Sequence, residues 1–291
     1  MFKGSLVALI TPFRDGKVDE TAFQEHVAWQ VGQGTHGLVP CGTTGEAPAL
    51  EHDEHRRVIE LCVEVAKGRA PVIAGTGSNS TAHTVTATRE AKAAGADAAL
   101  IMCPYYNKPT QEGLYQHFKA VHDAVDLPII VYNIPGRTSV DMSNATMARL
   151  AKLPNIVGVK DATNDLARPL RMRVEIDGEF ALLSGEDGTA VAYLAQGGHG
   201  CISVTANVAP ALCAEMHEAW QRGDLATVRK INERLIPLHD ALFVETSPAP
   251  VKYAASLLGR CTADVRQPLW QTTPETQEKV QRAMRGAGLL N

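Results

Sequence analysis

The sequence predicts a (β/α)8 barrel, a TIM barrel, carrying a C-terminal helical extension. Three observations lead there. Eight short apolar runs rich in β-branched residues recur along the first two thirds of the 291-residue chain. Amphipathic segments with helical spacing lie between them. The repeat is roughly 30 residues, the length of one strand-plus-helix unit. A doubly wound sheet is the runner-up, but eight even units and no dinucleotide fingerprint argue against it.

The strands are expected at SLVALITPF (5–13), GLVPCG (37–42), PVIAGTG (71–77) and AALIMC (98–103), then at PIIVYN (128–133), NIVGVKD (155–161), FALLSG (180–185) and GCISVT (200–205). Each is continuously apolar rather than alternating, as a parallel strand covered by helices should be. DETAFQEHVAWQVGQG, EHDEHRRVIELCVEVAKG, STAHTVTATREAKAAG and TQEGLYQHFKAVHDAV read as the intervening helices. Gly34, Gly68 and Gly95 close three of them. After the eighth strand only helical periodicity remains. The barrel is therefore assigned to residues 1–224 and a helical domain to 225–291.

Bulk properties remove several classes of function. A net charge of −4 leaves no basic footprint for nucleic acid. No apolar run reaches the roughly 20 residues of a membrane helix. The N-terminus is too strand-like for a secretory signal, and Pro12 interrupts it. Six scattered cysteines without a CxxC pair indicate neither zinc nor a disulfide framework. A cytoplasmic enzyme is expected.

In a barrel, chemistry collects where strands run into the following loops. The polar residues do so here: GTTGE (42–46), PYYNKP (104–109), YNIPGRT (132–138), Lys160, SGEDG (184–188) and SVTAN (203–207). Lys160 ends a buried run. An amine stripped of water loses its proton more readily and attacks carbonyl carbon to form a Schiff base. The plainer reading is a solvated lysine, or one paired with Asp161. Tyr132 ends the preceding strand and is placed to move protons at Lys160. GTTGE offers hydroxyl and backbone donors suited to a carboxylate, or is simply a capped tight turn. Arg137 presents a fork for a second carboxylate, or is a surface arginine, or pairs with Glu46 or Asp187. Together these groups suit a class I aldolase acting on an α-keto acid. His52 and His55 lie one turn apart, but no third ligand follows at a telling spacing, and acids are ordinary in a first helical turn.

GTTGE, PYYNKPTQEGLYQHF, YNIPGRT, GVKDAT and GGHGCISVTAN together resemble the dihydrodipicolinate synthase family, of the N-acetylneuraminate lyase and class I pyruvate aldolase superfamily. The resemblance spans nearly the whole chain and weakens only in the C-terminal helices. It implies that Lys160 forms an imine with pyruvate, whose enamine attacks L-aspartate 4-semialdehyde in the diaminopimelate route to lysine. Thr43, Tyr132 and Tyr106 are then the proton relay, with Tyr106 crossing from a neighbouring subunit. Thr44, Ile202, Arg137 and Gly185 are implied at the substrates, and a homotetramer built from dimers is implied as the assembly. Arg137 separates this reading from a sialic acid lyase, a sugar-acid aldolase or a dehydratase of the same superfamily. A catalytically silent barrel serving as a binding protein is the alternative from another class.

The family's feedback site for lysine would fall on Pro48, His52, His55, Asn79, His83 and Tyr105. His83 stands where regulated members carry a glutamate. Losing that charge-assisted acceptor, worth about 1.5–3 kcal/mol, implies weak or absent inhibition by lysine.

Overall fold

The structure is a computed structural model that describes residues 1–291. Its eight parallel strands are β1 (Gly4–Ala8), β2 (Gly37–Val39), β3 (Ile73–Gly75), β4 (Ala98–Met102), β5 (Ile129–Asn133), β6 (Ile156–Asp161), β7 (Ala181–Ser184) and β8 (Gly200–Ser203). All eight are members of one parallel sheet, the strand content of a (β/α)8 barrel. The helices between them are α1 (Glu20–Gly32), α2 (His52–Ala66), α3 (Thr81–Ala93), α4 (Gln111–Ala124), α5 (Asn144–Leu150), α6 (Arg168–Glu175) and α7 (Ala190–Ala195). Four more follow: α8 (Pro210–Gln221), α9 (Leu225–Ala241), α10 (Ala249–Leu257) and α11 (Pro274–Gly286).

By contacts the chain forms two compact units, one of residues 1–3 and 73–202, the other of residues 4–72 and 203–291. In the first, β3 to β8 pair in sequence order, each parallel to the next. Ile101, Val131 and Val159 point to the helix side, where Leu114, Phe118, Met147 and Met172 bury them completely or nearly so. The residues between them in sequence face the other way, which is what places Tyr132 and Lys160 on a shared face. Gly158 is required in this packing: a Cβ there would lie 2.7 Å from the Ala181 carbonyl oxygen.

In the second unit β1 pairs with β2, and Leu38 of β2 bridges Val72. A short hairpin, Phe13–Arg14 with Lys17–Val18, turns at Asp15 and Gly16, both at positive φ. Asn207 ties the unit together: its amide donates to the Ala8 carbonyl (2.7 Å) and its oxygen accepts from the Ile10 N–H (3.0 Å). Helix starts are capped by side chains, among them Asp19 on α1, Ser80 on α3, Thr110 on α4 and Ser143 on α5.

Two histidines are buried without charge partners. His26 is wholly enclosed in the second unit, with Nε2 3.1 Å from Asn207 Oδ1. His117 in α4 lies 3.0 Å from the Thr81 hydroxyl in the first. Burial pulls both imidazoles down to about 4. Below the unfolded value of about 6.5 the unfolded chain takes up protons that the folded chain refuses until pH 4. Stability present at neutral pH is therefore lost as pH falls through that window, by about 2 kcal/mol per histidine at pH 5. Urea unfolding at pH 7.5 and pH 5, with wild type against His26→Gln, checks this; the variant should lose less on acidification.

Candidate active site

The register of β5 on β6 sets Tyr132 opposite Lys160 and Asn133 opposite Asp161. Lys160 is 5 % exposed, and its Nζ lies 4.1 Å from the centroid of the Tyr132 ring. One residue on, the strand's alternation sends Asp161 to the opposite face. There it meets Arg168 of α6 at 3.6 Å rather than Lys160. Burial raises the Asp161 carboxyl above the usual carboxylate range, opposed by the Thr163 N–H and Arg168. Arg168 also reaches Asp141 (3.2 Å) and the Met142 carbonyl, while Asn133 donates to Asp141 (2.8 Å). The lysine thus has an aromatic face for its neighbour, and the charge beside it in sequence is used elsewhere.

Gly185 follows β7, its N–H bonded to the Asp161 carbonyl at 2.7 Å. A Cβ at this position would lie 2.7 Å from Ala162 Cβ and 3.2 Å from Lys160 Cε. Only glycine leaves the space beside the amine open. Glu186, held by a Ser184 hydroxyl accepting from its N–H (3.1 Å), comes within electrostatic reach of both Lys160 and Arg137. Burial raises its carboxyl, and Lys160 is the largest opposing influence. Arg137 stands exposed on the single helical turn Pro135–Thr138, which Ile134 and Pro135 carbonyls close. Ile202 is wholly buried in β8.

After β4 the chain runs through Tyr105 and Tyr106, where Tyr106 is 88 % exposed at a φ of 70°. Asn107 pins this loop by donating to the Asn79 carbonyl at 2.8 Å. Asn79 precedes α3, on whose first turn His83 is exposed.

In the second unit GTTGE forms a closed double turn. The Gly45 N–H bonds to Gly42 O (3.1 Å), and the Glu46 N–H to Thr43 O (3.1 Å). Thr11 donates its hydroxyl to the Gly45 carbonyl (2.7 Å), and a Cβ on Gly45 would meet Leu9 O at 3.0 Å. Thr44 is buried and Thr43 half-buried. Pro48 is exposed in the following turn, and His52 and His55 lie at the start of α2. The acids of EHDEH are engaged in folding: Glu51 and Glu54 form a reciprocal capping box, and Glu54 also pairs with Arg266 at 2.6 Å.

Glu186 and Lys252 are the charged groups that motif reading passed over. The acidic pair in SGEDG was a signal for Glu186. Lys252 sits in an apolar helical stretch, and nothing local marks it as buried.

The family model described as the dihydrodipicolinate synthetase family matches residues 1–287. A 4-hydroxy-tetrahydrodipicolinate synthase of Rhodospirillum centenum is 69% identical over 290 residues, covering 100% of both chains. The crystal structure of dihydrodipicolinate synthase from Aquifex aeolicus superposes with a TM-score of 0.97 at 45% identity, over 99% of each chain. A chloride-inhibited dihydrodipicolinate synthase from Acinetobacter baumannii, complexed with pyruvate, matches equally well, at 0.97 and 45% over 100% of both chains. The fold is a (β/α)8 barrel with C-terminal helices, and the enzyme class is that of the class I aldolase-type lyases. The chain belongs to the dihydrodipicolinate synthetase family, and its activity is that of the 4-hydroxy-tetrahydrodipicolinate synthases.

Proposed function

We propose that Lys160 is the Schiff-base nucleophile and that pyruvate and L-aspartate 4-semialdehyde are its substrates. One observation carries this: a lysine 5 % exposed at a strand end, its amine over a tyrosine ring and its neighbouring acid turned to another cation. Lys160 Nζ adds to C2 of pyruvate, and loss of water gives the imine. Loss of a C3 proton gives the enamine, with the protonated imine nitrogen as electron sink. C3 then attacks the aldehyde carbon, whose oxygen takes a proton. The substrate's own amine displaces Lys160 at C2, closing the ring and freeing the enzyme. No metal or organic cofactor is needed for these steps.

Tyr132, Thr43 and Tyr106 are assigned to proton transfer, because a phenol or hydroxyl both gives and accepts a proton. Thr44, Ile202 and Gly185 are assigned to pyruvate, Arg137 to the carboxylate of the semialdehyde. Tyr106 held out to solvent at positive φ supports its use by a second copy, and a homotetramer of dimers as the working assembly. No helix is long and apolar enough to cross a membrane. Six cysteines, none in a disulfide, fit a reducing cytoplasm. His83 in place of an acid supports weak or absent feedback by lysine; half-inhibition at low micromolar lysine would count against this.

The substrate assignment is tested by turnover with pyruvate plus aspartate semialdehyde against cleavage of N-acetylneuraminate. Activity is expected only with the first pair. Arg137→Ala should raise KM for the semialdehyde by about 10- to 100-fold, the loss of one charge-assisted anchor. Cleavage of N-acetylneuraminate without semialdehyde turnover would move the chain to the sialic acid lyases.

A further inference from the structure

We propose that Lys252 of α10 is a positioning residue for the GTTGE turn, acting through a buried ion pair with Glu46. The C-terminal helices are thereby part of the catalytic apparatus. The proposal rests on the roles assigned above to Thr43 and Thr44.

The pair is dry and close. Lys252 is 0 % and Glu46 2 % exposed, and Nζ to Oε1 is 2.7 Å. The second carboxylate oxygen accepts the backbone N–H of Arg266 at 2.8 Å, so both oxygens are held by the C-terminal segment. Lys252 Nζ lies 4.0 Å from the Phe13 ring centroid, and the Arg266 guanidinium 4.4 Å from the same ring. Arg266 further donates to Ala49 O (2.9 Å) and Gly16 O (2.8 Å). The turn is therefore gripped at Glu46 and again at Ala49.

Glu46 adopts a φ of 54°, a left-handed conformation that a residue with a Cβ holds only when its surroundings compel it. Cys41, on the other side of the turn, does the same at 55°. The Glu46 N–H closes onto Thr43 O, so the backbone rotation of Glu46 fixes the orientation of the two threonines. A buried ion pair is a poor source of net stability, because desolvation offsets most of the attraction. Burial indeed pulls the Lys252 ammonium below the ordinary lysine range, with Glu46 working against it. What such a pair supplies is direction: one distance and one orientation, imposed from 206 residues away in sequence. Nothing else about α10 accounts for a lysine at the centre of a helix face otherwise made of Pro250, Val251, Ala254 and Ala255.

The test replaces the pair by apolar groups of similar size, Glu46→Leu with Lys252→Met, which avoids leaving one charge unmatched. The folded double variant should still trap pyruvate on Lys160 with borohydride. Its kcat should fall about 10- to 100-fold, the range for misplacing a reacting group by about 1 Å. KM for pyruvate should rise, while KM for the semialdehyde stays within about 2-fold. A merely structural pair would shift the unfolding midpoint and leave both constants per active site unchanged, and that result overturns the proposal. Should the double variant not fold, Glu46→Gln decides: a several-fold kcat loss with raised pyruvate KM supports it, and wild-type constants overturn it. Lys252→Arg, which keeps the charge, should retain more activity than Lys252→Met. Thr43→Val and Thr44→Val run alongside. Full activity in both would remove the reading of the turn itself, and the positioning role with it.

Discussion

Lys160→Ala is expected to lower kcat by at least about 1,000-fold, leaving KM and folding little changed. The replacement deletes the atom that forms the bond to substrate, so no remaining group performs the same step more slowly. A loss that large corresponds to about 4 kcal/mol of transition-state stabilisation. The fold should tolerate the change because Lys160 makes no ion pair with Asp161; that acid is matched by Arg168 on the other face of the strand. Lys160→Arg should be as inactive, since a guanidinium stays protonated and cannot form the imine. Activity within tenfold of wild type in either variant would remove Lys160 from the chemistry.

The largest effect on stability is expected from Arg168→Ala. Arg168 is 8 % exposed and faces two carboxylates, Asp161 at 3.6 Å and Asp141 at 3.2 Å, besides the Met142 carbonyl. Removing the only cation beside a nearly buried Asp161 should cost about 3–5 kcal/mol, read as a lower urea midpoint. The sign of its pH dependence follows from Asp161. Burial has already raised that carboxyl, so the folded state binds its proton more readily than the unfolded state. Without Arg168 the preference grows, and the destabilisation should be greatest above neutrality and shrink as pH falls toward 5. Asp161→Asn in the same chain should recover part of the loss. A cost below about 1 kcal/mol at pH 8 would show that the pair contributes little.

Much of the fold and part of the site are legible in the sequence. The eight strands are legible because parallel strands buried on both faces leave uninterrupted apolar runs, and NIVGVKD shows the run and its end in one stretch. Tyr132 and Lys160 stand side by side because each is the penultimate residue of its strand, and consecutive strands of a barrel are neighbours. The hairpin at Phe13–Val18 is harder to see. Its Asp15-Gly16 turn is a strong hairpin signal, but the apolar SLVALITPF before it masked where β1 stops at Ala8. Glu46 is one of two acids the sequence offers as an alternative partner for Arg137; its partner in the fold, Lys252, is 206 residues downstream. Pairings of that span are decided by tertiary packing, and no local spacing encodes them. Lys160 is likewise open in the sequence between Asp161 and solvent; α6 brings Arg168 to Asp161 instead.

The central claim is that a buried lysine amine carries the substrate as an imine. Incubation with pyruvate and borohydride, followed by intact mass and peptide mapping, tests it most directly. A single pyruvate-derived adduct on the peptide containing Lys160, absent in Lys160→Ala, is the result this account predicts. An unchanged mass in the wild type, or an adduct that persists in Lys160→Ala, would contradict it.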